Sequence, residues 1–136
     1  MKWENNEYWI TDDNAAANID FVHASLTSTY WAKGRSRGTV EKSVENSVML
    51  SLFRDDQQIG FARIVTDHST FAWLCDVFVH PDYRGKGLGV WLCKCYLEHP
   101  CSHVRINLLA TKDAHELYEK LGFESKECMV LIDNGS

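Results

Sequence analysis

Proline is scarce in this chain: two residues in 136, with no segment biased toward a few residue types. Long disordered or low-complexity stretches are not expected from such a composition. Positive charge is also in short supply. The 14 Lys and Arg are outnumbered by 19 Asp and Glu, for a formal net charge of -5. A chain this acidic lacks the cationic footprint that nucleic-acid binding needs, so no nucleic-acid partner is expected. The acidic balance serves solubility first and also suits a cationic partner.

Long apolar runs are missing as well. No stretch approaches the roughly 20 residues that a membrane span requires, and no membrane partner is expected. The first residues, Met1-Lys2-Trp3-Glu4-Asn5-Asn6-Glu7, are polar and hold no apolar signal core. The five cysteines, Cys75, Cys93, Cys95, Cys101 and Cys128, are odd in number. With no secretory signal, they read as free thiols in a reducing, cytoplasmic compartment. Cys93-Lys94-Cys95 lacks the two-residue spacer of common zinc and redox motifs, and no other grouping has metal-ligand spacing, so no metal is expected. Asn134-Gly135-Ser136 has the form of a glycosylation sequon, which carries no meaning in a reducing compartment.

What is present suffices for one compact domain over residues 1–136, with 45% hydrophobic residues. Tyr8 to Thr11 reads as a strand, followed by a helix with Ile19, Val22 and Leu26 on one face. Ser28 to Ser36 reads as an aromatic loop, and Val40 with Val44 marks a second short helix. Val48–Arg54 and Ile59–Thr66 form a hairpin turned by Asp55-Asp56-Gln57-Gln58, and Phe71–Val79 is a third long strand. Leu88, Trp91, Leu92 and Cys95 have the spacing of a buried helix stripe, ending at Pro100. Val104–Ala110 is a strand. A helix with Ala114, Leu117, Tyr118 and Leu121 on one face follows, with Asp113 and Glu116 as a capping pair and Gly122 as its stop. Cys128–Ile132 is the expected last strand. The order β-α-α-β-β-β-α-β-α-β implies an α/β (α+β) fold: a mixed sheet flanked by helices.

The most informative segment is Val77-Phe78-Val79-His80-Pro81-Asp82-Tyr83-Arg84-Gly85-Lys86-Gly87-Leu88-Gly89-Val90. It runs strand, turn, glycine-rich loop, helix. A helix start presents unpaired N–H groups and the positive end of the dipole. Glycines allow close approach of a phosphate, and Arg84 and Lys86 add charge. A phosphorylated ligand follows, and a pyrophosphate is the expected group. The dinucleotide fingerprint fails because Val90 stands where it needs glycine. The Walker loop fails because Gly87, not Ser or Thr, follows Lys86.

Arg84-Gly85-Lys86-Gly87-Leu88-Gly89 resembles the Gln/Arg-x-x-Gly-x-Gly/Ala loop of the GNAT superfamily, the Gcn5-related N-acetyltransferases. Leu117-Tyr118-Glu119-Lys120-Leu121-Gly122-Phe123 resembles that family's second signature, in the same order and at the usual separation. The resemblance spans nearly the whole chain, is strong from Phe71 to Phe123, and is weak before Val48. It implies a mostly antiparallel mixed sheet whose central strands splay, with acetyl-CoA as co-substrate in the wedge. It further implies that the backbone of Val77, Phe78 and Val79 meets the pantetheine, and that amides from Arg84, Gly85, Lys86, Gly87, Leu88, Gly89 and Val90 hold the pyrophosphate. The Val79 N–H would face the thioester oxygen. Where many relatives carry an asparagine at the second helix, this chain has Thr111-Lys112-Asp113.

The same resemblance implies transfer of an acetyl group to a primary amine of a small molecule or peptide, by direct attack in a ternary complex. Tyr118 is the candidate acid, or else a core aromatic on its helix stripe. Asp76, a carboxylate in an apolar run, is the candidate base through a raised pKa, or a hydrogen-bonded structural group. His80 reads as a turn residue and His68 as a loop residue. Tyr30, Trp31, Arg35, Arg63 and His115 are the expected acceptor contacts. The aromatics favour a cationic acceptor and the arginines an acidic one. A non-catalytic acyl-CoA-binding module and a nucleotide-binding protein are the competing readings, and the assembly is a monomer or homodimer.

Overall fold

The computed structural model describes residues 1–133; the Asn134–Ser136 triplet lies outside them. Six strands form one sheet in the order β1-β2-β3-β4-β5-β6: β1 Lys2–Asn5, β2 Tyr8–Thr11, β3 Val48–Arg54, β4 Gln57–Thr66, β5 Phe71–Val79 and β6 Ile106–Leu109. All neighbours are antiparallel except β5 and β6, which run parallel. A parallel pair needs a crossover, and α3 (Leu88–Glu98) supplies it. The other helices are α1 Ile19–Thr27, α2 Arg37–Glu45 and α4 His115–Lys120.

The helices cover opposite faces. Val22, Leu26, Val40 and Val44 of α1 and α2 pack with Met49, Phe61 and Phe78 on one side. On the other, Leu88, Leu92, Cys93, Cys95 and Tyr96 of α3 pack with Leu50, Leu52, Ala62, Ile64 and Leu74. Burying a side chain the size of Leu92 contributes about 1.5–3 kcal/mol. Tyr96 lies outside the stripe expected for this helix, yet it is fully buried, and its hydroxyl donates to Asn107 Oδ1 of β6. Asn107 in turn donates to the carbonyls of Ser102 and Val104, so α3 and β6 are tied at the point where the crossover returns to the sheet.

Several expectations are corrected. The polar N-terminal segment forms β1, because Trp3 packs against the core and donates to Glu98. The hairpin turn is confined to Asp55-Asp56, while Gln57 and Gln58 belong to β4. The N-cap of α4 is Ala114, whose N–H is satisfied by Thr111 Oγ1 at 3.1 Å and not by Asp113. Gly122 does stop this helix at φ 100°; Phe123 N–H returns to the Tyr118 carbonyl and Gly122 N–H to that of Glu119, the paired closure of a Schellman motif. The last expected strand, Cys128–Ile132, does not form: 124–133 carry no strand, and Met129 and Leu131 are almost fully exposed. An apolar run becomes a strand only with a partner edge, and this one pairs with none.

Two irregularities position the site. In β4 and β5, Arg63 faces Asp76 but Ile64 faces Leu74, so Cys75 is an extra residue, a β-bulge. Before the bulge, Ala72 and Leu74 face the α3 side; after it, Val77 and Val79 do. The inserted residue thus turns Asp76 and Phe78 toward the α1–α2 side. The second irregularity is the end of β6. Pairing with β5 covers only Phe71 to Leu74, so from Cys75 onward the two strands part and leave a wedge.

Candidate active site

The wedge opens into a cleft of about 830 Å³. Its floor is Trp73 to Val79 of β5, one wall is Leu109 to Ala114 with Tyr118, and the other is Ser28 to Trp31 with Arg35 and Arg63.

Backbone polarity alternates along a strand. His80 N–H bonds to the Ile59 carbonyl of β4 at 2.7 Å, so Val79 turns the other way, and its carbonyl accepts from Arg84 Nε at 2.8 Å. The N–H and C=O of Val79, and of Val77 two residues earlier, therefore face the wedge. Phe78 differs from the expectation: its carbonyl points toward β4, where a Cβ on Gly60 would meet it at 2.6 Å. Only glycine permits that approach.

Beyond Arg84 the glycine loop leads into α3. Gly85 and Gly87 have φ of 79° and 78°, the left-handed region that disfavours side chains. Gly87 is the N-cap and offers no side-chain acceptor. The first helical bond is Trp91 N–H to the Gly87 carbonyl, so the N–H groups of Leu88, Gly89 and Val90 precede the ladder. Space around Gly85 and Gly87 is open. The start of α3 sits over the end of β5, since a Cβ on Gly89 would lie 3.9 Å from Val79 Cγ2. Open space, a glycine backbone, unpaired amides and the charges of Arg84 and Lys86 fit a diphosphate, and the β5 edge that β6 leaves uncovered at Val77 and at the Val79 N–H fits an amide-bearing arm leading from it.

Tyr118 lies in the cleft and packs edge-on to Phe123 at 5.9 Å. Burial raises its pKa above that of free phenol, reinforced by the charge of Cys93 and a hydrogen bond to it. The Cys93 thiol is itself pushed up to about 11 by burial. Tyr118 is therefore a protonated phenol at neutral pH.

Of the two readings of Asp76, base or hydrogen-bonded structural group, the geometry matches the second. It is 1% exposed. Its Oδ1 accepts from Trp31 Nε1 at 2.8 Å, and its Oδ2 from Arg35 Nη1 at 2.9 Å and Arg63 Nε at 2.8 Å. Burial alone would raise its pKa. The hydrogen bond and charge of Arg63, the charge of Arg35 and the Trp31 hydrogen bond outweigh that and hold it below the ordinary value. The shift is opposite to the one a base here requires.

Tyr30, Trp31, Arg35 and Arg63 are brought together as expected. His115 is not: it is exposed at the start of α4 and is not among the residues lining the cleft. Cys75 and Lys112 were not anticipated. Cys75 is the bulge residue, with a pKa raised by burial, and its Sγ lies 3.4 Å from the Trp73 carbonyl. Lys112 Nζ sits 5.4 Å from the centre of the Tyr30 ring. A bulge has no sequence signal here, and Lys112 meets Tyr30 only through the tertiary fold. Among the described residues no group of three or more His, Cys, Asp or Glu is placed to hold a metal, and no helix is long and apolar enough to cross a membrane.

The chain is similar to known acetyltransferases. Residues 45–125 match the model of the acetyltransferase (GNAT) domain. A crystal structure from Xanthomonas campestris pv. campestris, of a protein assigned to the GNAT family, superposes with a TM-score of 0.88 at 34% identity over 94% of each chain. Two curated relatives match over four fifths or more of both lengths. One, assigned as an acetyltransferase in Gibberella zeae, is 26% identical over 88% of this chain and 80% of its own. The other, assigned as a spermine N(1)-acetyltransferase in Bacillus subtilis subsp. natto, is 25% identical over 85% and 84%.

Proposed function

The chain belongs to the GNAT family of acetyltransferases, and from that premise we propose that it transfers the acetyl group of acetyl-CoA to a primary amine of a small molecule or peptide, by direct attack in a ternary complex. The observation that carries this reading is the single cleft in which the splayed β5 edge, the approach to the glycine loop and Tyr118 meet.

Acetyl-CoA supplies an activated thioester. The amides of Leu88, Gly89 and Val90, with Arg84 and Lys86, hold its diphosphate, and Val77 and Val79 hold its arm. Holding both reactants in one cleft provides the proximity that accounts for much of the rate. The Val79 N–H faces the oxygen that gains charge as the amine adds. A C–N bond forms, the C–S bond breaks, the nitrogen loses a proton and the sulfur gains one. Tyr118 donates to the departing sulfur. Its raised pKa keeps the proton on the phenol until the thiolate departs.

Two alternatives lose support. Asp76, locked as an anion by two arginines, is a poor base, so the amine gives its proton to water in the open cleft. Cys75 is a poor nucleophile for an acyl-enzyme route, because burial keeps it a thiol and no base adjoins it. The free state of all five cysteines suits a reducing compartment such as the cytoplasm.

The test follows thiol release from acetyl-CoA with a panel of amines, polyamines included because of the name of the Bacillus relative. Calorimetry compares coenzyme A with ATP and NAD. Saturable release with intersecting initial-rate lines is expected. Tight coenzyme binding without turnover of any amine would favour a binding module instead.

A further inference from the structure

The charge around Asp76 points to the class of acceptor, and this inference rests on the acetyltransferase reading. Asp76 is the one carboxylate in the cleft that an acceptor ammonium would seek among buried groups, but both its oxygens are taken by Trp31, Arg35 and Arg63. Two guanidiniums against one carboxylate leave this corner with a net positive charge. Their side chains retain 21% and 14% exposure while Asp76 retains 2%, so it is the cations that face the cleft.

Their hydrogen-bonding capacity points the same way. Among the described residues the two guanidiniums make three hydrogen bonds, two to Asp76 and one from Arg63 Nη1 to Ser47 Oγ at 3.1 Å, out of roughly ten N–H donors. The remainder suit an oxyanion, which a guanidinium binds through paired, charge-assisted bonds. Arg35 is also held in place: its N–H bonds to the Ala32 carbonyl at 3.0 Å, and its carbonyl meets His23 Nε2 at 3.2 Å.

The aromatic wall does not favour a cation at Tyr30, because the ring already has Lys112 Nζ 5.4 Å from its centre and a second cation there would meet a like charge. The charged residues lining the cleft are Arg35, Arg63, Arg84 and Lys112 against Asp76 and Asp113. Asp113 is the one acid there outside the arginine cluster. A second ammonium on the acceptor would meet more cations than anions.

We propose that the acceptor is a primary amine carrying an anionic oxygen group, a carboxylate or a phosphate, which docks on Arg35 and Arg63 while the amine faces the thioester. The anion sets specificity, and Asp76 positions the two arginines.

The experiment uses the whole protein with acetyl-CoA and five kinds of amine: glycine, β-alanine and γ-aminobutyrate; the amide of each; O-phosphoethanolamine; ethanolamine; and spermidine. At least one acid, or the phosphate, should exceed the matched amide (for the phosphate, ethanolamine) by about tenfold or more in kcat/KM, chiefly through KM. Which anion wins distinguishes carboxylate from phosphate. Arg35→Gln leaves Asp76 paired with Arg63 and should collapse that ratio to about 1–3, while Arg35→Lys keeps part of it. Should Arg35→Gln fail to fold, the wild type still decides: the preference should shrink as salt rises from about 0.05 to 0.5 M. Amides equal to or better than every acid, or spermidine preferred over all, would overturn the inference while leaving the acetyltransferase reading intact. No turnover of any amine, with coenzyme binding intact, would overturn both.

Discussion

Replacing Asp76 by Asn keeps the shape of the side chain and removes its charge, leaving Arg35 and Arg63 side by side without their common anion. Breaking a buried ion pair from one side costs about 3–5 kcal/mol. Here the arginines retain 21% and 14% exposure, so water recovers part of the loss, and Asn still offers one acceptor oxygen. A loss near the lower end, about 3 kcal/mol, is expected. That is a large fraction of the roughly 5–15 kcal/mol that holds a domain folded, and for a chain of this size it lowers Tm by about 10 °C. Thermal and urea unfolding followed by circular dichroism at pH 7 measure it. The pH dependence sharpens the test. The folded-state pKa of Asp76 lies below its ordinary value, so its contribution is complete above the unfolded carboxyl value near ~3.9 and is lost as pH falls through the lower folded value. The gap between wild type and Asp76→Asn should be flat from about pH 5 to 8 and narrow only in acid. A loss under about 1 kcal/mol would refute the buried-network argument. A variant as stable as the wild type that keeps its acceptor KM but loses kcat would restore Asp76 as a base.

The other expectations concern single contacts. Tyr118→Phe should lower kcat by about 10²–10⁴ with coenzyme affinity preserved; calorimetry beside steady-state kinetics separates the two, and unchanged kcat would return Tyr118 to a packing role. Gly60→Ala sets a Cβ 2.6 Å from the Phe78 carbonyl, so β4 and β5 must move apart; a drop of about 1–3 kcal/mol in urea unfolding, with weakened coenzyme binding from the displaced β5 edge, is the expected result. Ser51 Oγ is buried with no hydrogen-bond partner, and Ser51→Ala should be neutral or stabilise by up to about 1 kcal/mol. A clear loss of Tm would show that the hydroxyl has a partner.

How far the sequence could be read depended on distance along the chain. β2, β3 and β5 are legible to the residue, because alternation and apolar runs are local. The glycine loop is legible for the same reason: a positive φ at Gly87 and free amides at a helix start are properties of a few consecutive residues. Cys128–Ile132 misleads because its composition favours a strand, whereas strand formation depends on an edge elsewhere. β1 is missed for the converse reason: its polar residues hide a strand that the β2 edge and the Trp3 contacts create.

The sequence by itself determined the glycine-rich loop, the helix that presents Tyr118 and the family to which both belong, since each is written in contiguous residues whose backbone preferences do not depend on the rest of the fold. Only the tertiary structure decided what Asp76 is. One extra residue at Cys75 turns its carboxylate to the other face of the sheet, where a loop 41 residues away in sequence brings Arg35 to it. Register and long-range charge pairing are collective outcomes, so an acid that looked like a base in isolation became the anchor of two cations.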